Sequence, residues 1–159
     1  MRTILSILLI FASPIIKAQH AVPGSISMPP MIEINIADLN TQGFHFGGVS
    51  EYSAAKFIPG CYNLSIAANA PWLVTVRTSS PYFEKLSPQG ADDIPVSLIG
   101  IKKSTSGTFT QLSSLPQTLV QSENNNIHNN YLLDVSMAPP MNYEGGHYSV
   151  HILFYATLQ

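Results

Sequence analysis

Residues 146–158 read Gly-His-Tyr-Ser-Val-His-Ile-Leu-Phe-Tyr-Ala-Thr-Leu, and this stretch decides the fold class of the chain. Apolar side chains occupy every second position in it, at Tyr148, Val150, Ile152, Phe154, Ala156 and Leu158. A two-residue period predicts a long β-strand with one apolar face, because successive side chains point to opposite faces of a strand. Such a strand needs neighbours in a sheet and a second layer that covers its apolar face.

Most other periodic segments of the chain also predict strands. The isoleucines of residues 32–36 alternate with polar residues and predict a first strand that faces the core. Two β-rich runs, residues 61–68 and 72–78, flank the short Asn69-Ala70-Pro71 connection, and this arrangement predicts a hairpin. A separate strand, or the approach to a strand, is expected over residues 54–58, closed by the Pro59-Gly60 turn.

The second half of the chain continues this pattern. Residues 94–103 predict a strand with residues 108–113 as its hairpin partner, while residues 115–121 fit either a short helical turn or a strand. Residues 131–137 and 146–158 predict a final strand pair. We therefore expect an all-β chain of about seven to nine strands, folded as an immunoglobulin-like antiparallel β-sandwich.

The N-terminus predicts export from the cytoplasm. A positively charged start, an apolar run and a small-residue site make residues 1–18 a secretory signal peptide, with cleavage expected after Ala18. Residues 19–30 contain three prolines and predict an extended leader, followed by a single β-sandwich domain over residues 31–159. The expected location is secreted, periplasmic or at the cell surface, with no membrane span in the mature chain.

The charge balance argues against nucleic acid as a partner. Two of the seven Lys and Arg residues, Arg2 and Lys17, lie in the signal segment, so five remain against nine Asp and Glu. Five scattered cations do not build the basic patch that phosphate backbones require. Cys61 is the only cysteine, so the chain has no internal disulfide, and its thiol is either buried or available for pairing between chains.

The sequence carries no catalytic signature. It lacks the nucleophile elbow, the zinc-protease helix motif, the P-loop and the dinucleotide fingerprint. His147 and His151 are four residues apart, which on a strand separates them by about 13 Å, so they do not bind one metal ion together. We therefore predict no catalytic, cofactor-binding or metal-binding residues, and a protein that is not an enzyme.

Aromatic residues in two loops are the candidate ligand contacts. Tyr82 and Phe83 lie in a proline-rich connection, and Tyr143 precedes the last predicted strand. Exposed rings of this kind stack on sugars, and they also anchor loops onto a sandwich. Both interpretations are kept for Tyr82, Phe83 and Tyr143.

Two segments carry a resemblance to known families. The run Ala70-Pro71-Trp72-Leu73-Val74-Thr75-Val76, together with the terminal stretch from Gly146 to Thr157, resembles bacterial surface β-sandwich domains of the pilin-like, spore-coat-U-like and WxL types. The resemblance implies a structural or adhesive role outside the cell and supplies no catalytic residues. Trp72-Leu73-Val74 departs from the Trp-x-Leu pattern of the WxL type, so the resemblance does not imply that this chain attaches to a Gram-positive cell wall.

Two functions from different classes follow. The first is a secreted cell-surface structural or adhesive protein, a pilus-like or extracellular assembly subunit that binds protein partners or its own copies. The second is a soluble module that binds a glycan or a protein without assembly. We expect the terminal strand to pair within its own sheet, and the prolines of residues 19–30 to disfavour that leader as a strand donated to another subunit.

Overall fold

The computed structural model describes residues 25–40, 43–87, 93–122 and 128–159. Ten strands form in these residues, and the only helical segments among them are the 3₁₀ turns Val49–Ser53 and Val96–Leu98. The strands are β1 Ile32–Asp38, β2 Lys56–Ala68, β3 Trp72–Thr78, β4 Glu84–Ser87, β5 Ile99–Lys103, β6 Thr110–Gln111, β7 Gln117–Ser122, β8 His128–Met137, β9 His147–Ser149 and β10 Ile152–Leu158. The predicted signal peptide and the first part of the predicted leader lie outside the described residues.

The strands form three antiparallel sheets. The larger sheet has the order β1-β2-β8-β5-β6, the second has the order β10-β3-β7, and β4 pairs with β9 in a small third sheet. The first two sheets pack face to face around one core. The predicted all-β sandwich is therefore confirmed, with ten strands in the described residues where about seven to nine were expected.

The core lies between the central strands of the two sheets. Fully buried side chains alternate along β2 and β3, as the two-residue period predicts, and Trp72 is 0% exposed. The Trp72 ring meets Tyr131 of the opposite sheet edge to face, with ring centroids 6.3 Å apart. This contact joins β3 to β8 across the two layers.

The predicted hairpin between residues 61–68 and 72–78 is wrong. These residues form β2 and β3, but β2 pairs with β1 and β8, whereas β3 pairs with β10 and β7 in the other sheet. The chain crosses between layers at residues 69–71. Both strands carry one strongly apolar face, and these faces bury each other across the sandwich rather than lying side by side.

The two strands predicted around Pro59-Gly60 are one strand. β2 runs continuously from Lys56 to Ala68, and its register against β8 shifts between Ile58 and Tyr62. Gly60 adopts a φ of +57°, a left-handed conformation that costs glycine little because it has no Cβ. The Pro-Gly pair therefore makes a β-bulge within a strand instead of a turn between strands.

The terminal stretch is divided, which corrects the prediction of one long strand. Tyr148 belongs to β9, which pairs with β4, while Ile152–Leu158 forms β10, which pairs with β3. The predicted pairing of this stretch with residues 131–137 is also wrong, because those residues belong to β8 of the other sheet. The prediction that the terminal strand pairs within its own sheet is confirmed, although β10 is an edge strand.

Several other predictions agree with the structure in whole or in part. The isoleucines at positions 32, 34 and 36 form β1 and pack against the core. Residues 99–103 pair with Thr110–Gln111 as expected, and the ambiguous residues 115–121 contribute most of a strand, β7. The start of the predicted strand over residues 94–103 is instead a 3₁₀ turn that follows Pro95.

Candidate functional site: an aromatic cavity and an open side

A cavity of about 740 Å³ opens at one end of the sandwich. It lies where β1 ends at Asp38, where β2 carries its bulge and where β10 begins at Ile152. Loops on either side complete the wall, namely residues 43–46 and residues 143–148. The cavity is therefore assembled from segments that are far apart in the chain.

Aromatic rings dominate the cavity wall. The rings belong to Phe44, Phe46, Tyr52, Tyr62, Phe83, Tyr143 and Tyr148. Two of them stack on each other, since the Phe46 and Tyr52 centroids are 5.2 Å apart. Aliphatic side chains from the core, among them Ile58, Ile99 and Val135, line the same space. Polar side chains line the same space, among them Asn40, His45 and His147, so the wall offers apolar and aromatic surface together with polar groups, as small-molecule sites do.

Cys61 and Tyr62 lie together on the cavity wall. Cys61 is 6% exposed, and its thiol donates to the backbone oxygen of Asn40 at 3.7 Å. Burial raises the pKa of the Cys61 thiol, and the Asp38 charge raises it further, against a lowering by the hydrogen bond with Tyr62. Burial likewise raises the pKa of Tyr62 to about 12. A thiol held in its protonated form is a poor nucleophile, so the Cys61 environment does not support thiolate chemistry.

The loop before β9 is held against the small sheet by a buried cation. The Lys85 side chain is 2% exposed, and its ammonium lies 2.5 Å from a carboxylate oxygen of Glu144. The Tyr148 hydroxyl donates to the backbone oxygen of Glu144 at 2.7 Å. At Gly146, a Cβ would lie 2.8 Å from the backbone oxygen of Ser87, so glycine permits this close approach. These contacts fix one wall of the cavity.

The structure separates the three predicted ligand contacts. Phe83 and Tyr143 both line the cavity, although they are 60 positions apart in the sequence. Tyr82 lies instead at a shallow second depression with residues 79–80 and 149–151, and it forms an isolated bridge with Pro95. Phe83 also lines that depression. Sequence reasoning missed the rings of residues 44–62, because no local pattern shows that these segments converge.

Charges at the cavity are distributed unevenly. Glu51 pairs with Lys56 at 3.0 Å, and Glu144 pairs with Lys85, so each of these carboxylates has its own cation. The hydrogen bonds that Glu51 accepts from Gly47 and Lys56 lower the pKa of Glu51. Within the described residues, Asp38 has no such cation, and no Lys or Arg side chain lines the cavity. Asp38 therefore places at the cavity a carboxylate that has no ion pair among the described residues.

Two edge strands, β1 and β10, border one long side of the sandwich, which we call the open side because their outer edges carry no further strand in the described residues. β1 ends the larger sheet, β10 ends the second sheet, and the two contact each other across the layers. In the described residues no strand pairs with the outer side of either. Their inward side chains pack against the core but stay half-buried, unlike those of the central strands: Ile32, Ile34, Ile36, Ile152, Phe154, Ala156 and Leu158.

The segment before β1 is extended and exposed. Ile26 is 89% exposed and Met28 is 79% exposed, and Met31 is also exposed where the segment meets β1. Contacts from Asn69 tie only the end of the segment to the sandwich, through the Met31 backbone N–H at 2.6 Å and the Pro29 oxygen at 2.9 Å. Residues 25–28 thus present two large apolar side chains to solvent.

The described parts of the chain contain no group of three or more His, Cys, Asp and Glu residues placed to hold a metal ion. Over the same residues, no helix is long and apolar enough to cross a membrane. Comparisons with protein-family models and with curated proteins find no match to this chain.

Proposed function

We propose that this chain is a secreted cell-surface structural or adhesive subunit, of the pilus-like or extracellular-assembly kind, whose copies join through the open side between β1 and β10. The observation that carries the proposal is the position of β10. It is an edge strand whose inward apolar side chains are only half-buried. An added strand would complete their burial and would pair with the free edge of the backbone.

The sequence of β10 supports pairing with another chain. Soluble proteins protect exposed edge strands with charged residues, prolines or bulges. The strand Ile152–Leu158 contains no charged residue and no proline, and its pairing with β3 is regular over all seven residues. β1, by contrast, carries Glu33 and Asp38 on its exposed positions. β10 is therefore the edge that accepts a strand.

The segment that enters this side is, in our proposal, the exposed N-terminal segment of a second copy. Ile26 and Met28 are two residues apart, so in an extended chain they point to the same face and can enter neighbouring pockets. The prolines at positions 29 and 30 confine the pairing part to the residues before them. The exposure of Ile26 and Met28 offsets the argument that prolines make the leader a poor donor.

The test compares residues 19–159 with residues 31–159. Size-exclusion chromatography with light scattering and electron microscopy should show oligomers or fibres for the longer chain and monomers for the shorter one. Both should have nearly the same melting temperature, because residues 25–30 are exposed in the monomer.

A matched pair of variants separates side-chain contacts from charge. The double variant Ile26→Asp and Met28→Asp should block assembly, whereas Ser25→Asp and Ser27→Asp adds the same charge on the opposite face and should not. If the chain of residues 19–159 stays monomeric at every concentration, or if residues 31–159 assemble equally well, the proposal is wrong.

The aromatic cavity favours a second candidate function, a soluble binding module for a glycan or protein ligand. This alternative predicts that the protein is a strict monomer and that it binds a component of a glycan array or a protein array. Phe83→Ala and Tyr143→Ala should then weaken binding, because both rings line the cavity. Tyr82→Ala is the control, since Tyr82 does not line that cavity.

A further inference from the structure

We infer that the aromatic cavity binds a small molecule that joins an apolar body to a single cationic amine. The inference does not depend on assembly, because the cavity lies at the end of the sandwich and is built from side chains of one chain. It rests on the size of the cavity, on the composition of its wall and on the balance of charge around it.

The size and the wall determine the body of the ligand. A cavity of about 740 Å³ lies within the range of small-molecule sites, which is roughly 300–1,000 Å³. Its inner wall is made of core side chains such as Ile58, Ile99 and Val135. An aliphatic or aromatic body packs against this inner wall.

The charge balance determines the head group. Two carboxylates line the cavity in the described residues, and one of them, Glu144, is paired with Lys85, so Asp38 is the one without an ion pair. Asp38 is exposed to solvent at the end of β1. A cationic amine there would gain an ion pair and a charged hydrogen bond. A carboxylate or phosphate would meet a like charge and, among the described lining residues, no Lys or Arg.

The aromatic wall already attracts cations within the protein. The Lys56 ammonium lies 4.9 Å from the centroid of the Phe46 ring, and the Lys85 ammonium lies 5.8 Å from that of Tyr148. Both rings line the cavity, yet neither lysine does. Further rings on the inner side, including Tyr62 and Phe44, offer the same quadrupole attraction to a cationic ligand.

Three probes that share one alkyl chain test the head group. Decylamine, decanol and decanoate, each below its micelle concentration, are titrated into residues 19–159 at neutral pH by calorimetry. Decylamine should bind most tightly, decanol about three- to tenfold more weakly, and decanoate most weakly, since one exposed ion pair and one cation–π contact account for that ratio.

Variants locate the binding. Asp38→Asn should reduce the preference for decylamine over decanol to the part that the cation–π contact provides, whereas Glu33→Gln, which removes an exposed charge at a residue that does not line the cavity, should leave the preference unchanged. Ile58→Trp should fill the cavity and weaken all three probes, with circular dichroism as the check that the variant is folded. Residues 31–159 should bind as residues 19–159 do, so this result is independent of assembly.

Three results would overturn the inference. They are no binding of any probe to the folded protein, equal binding of the three probes, and a preference for decanoate. An amine preference that Asp38→Asn and Glu33→Gln reduce equally would also overturn it, because the preference would then reflect only the net negative charge of the chain.

Discussion

The Asp134 carboxylate on β8 accepts a hydrogen bond from the backbone N–H of Gly60 on β2, across a distance of 2.9 Å. The same carboxylate oxygen accepts from the Ser104 hydroxyl at 2.5 Å, and Lys102 lies 3.7 Å from the other oxygen. Asp134 is 4% exposed. One buried carboxylate therefore holds the bulge of β2, β8 and the turn after β5 together.

Replacement of Asp134 should destabilise the whole sandwich. Asp134→Asn keeps the size of the side chain but removes the charge that Ser104, Gly60 and Lys102 solvate, so we expect a loss of roughly 1.5–3 kcal/mol in the free energy of unfolding. Denaturant melts measure it, and Asp93→Asn at an exposed position should change the same quantity by less than about 0.5 kcal/mol. Equal effects of the two substitutions would contradict the structural role of Asp134.

The same carboxylate predicts an acid dependence of stability. Burial alone would raise the pKa of Asp134, but the hydrogen bonds from Ser104 and Gly60 and the Lys102 charge outweigh it and lower that pKa below its usual 3.8. The stabilisation is therefore fully present above the unfolded pKa and is lost as the pH falls through the lower, folded pKa. Thermal melts from neutral to strongly acidic pH should show this loss in the natural protein and a smaller one in Asp134→Asn.

Trp72 should be a packing residue rather than a ligand contact. It is fully buried, so Trp72→Ala should reduce the free energy of unfolding by about 3–5 kcal/mol. The indole nitrogen is buried without a hydrogen-bond partner among the described residues, so Trp72→Phe loses no hydrogen bond and should be markedly less harmful. Denaturant melts decide the matter, and a loss below about 1 kcal/mol for Trp72→Ala would mark the residue as a surface contact.

Tyr62 predicts a loss of stability at high pH. Its folded pKa is about 12, raised from 10.0 by burial and by the neighbouring Cys61 and Asp38. The buried neutral phenol therefore stabilises the fold fully below pH 10 and progressively less as the pH rises through 12. An ultraviolet titration of the folded protein should show a late tyrosine transition that Tyr62→Phe removes. A transition unchanged in Tyr62→Phe would assign it to another tyrosine.

Removal of β10 should abolish folding. The strand pairs with β3 along its whole length. Deletion of residues 152–159 would therefore expose the side of the core that contains Trp72, Val74 and Val76. Circular dichroism should show an unfolded chain. Residues 31–159, which lack only the N-terminal segment, provide the control and should stay folded. A folded product after the C-terminal deletion would mean that β10 is dispensable for the core.

The amino-acid sequence by itself predicted most of the strands and which of their faces are apolar. Side chains alternate across a strand, so the spacing of Trp72, Val74 and Val76 already shows that they share one face. The same logic placed the isoleucines of β1 toward the core. These features depend only on residues that are close in sequence, so the two-residue period of apolar side chains is enough to predict them.

Only the tertiary structure decided which strands are partners and which side chains meet. The pattern of residues 61–78 is the same whether two strands lie side by side or face each other across a core, and the burial of both apolar faces selects the second arrangement. The break between β9 and β10, and the convergence of Phe44, Tyr62 and Tyr143 on one cavity, depend on packing between distant segments. Local spacing does not encode these long-range contacts, because their energies arise only once the two layers have come together.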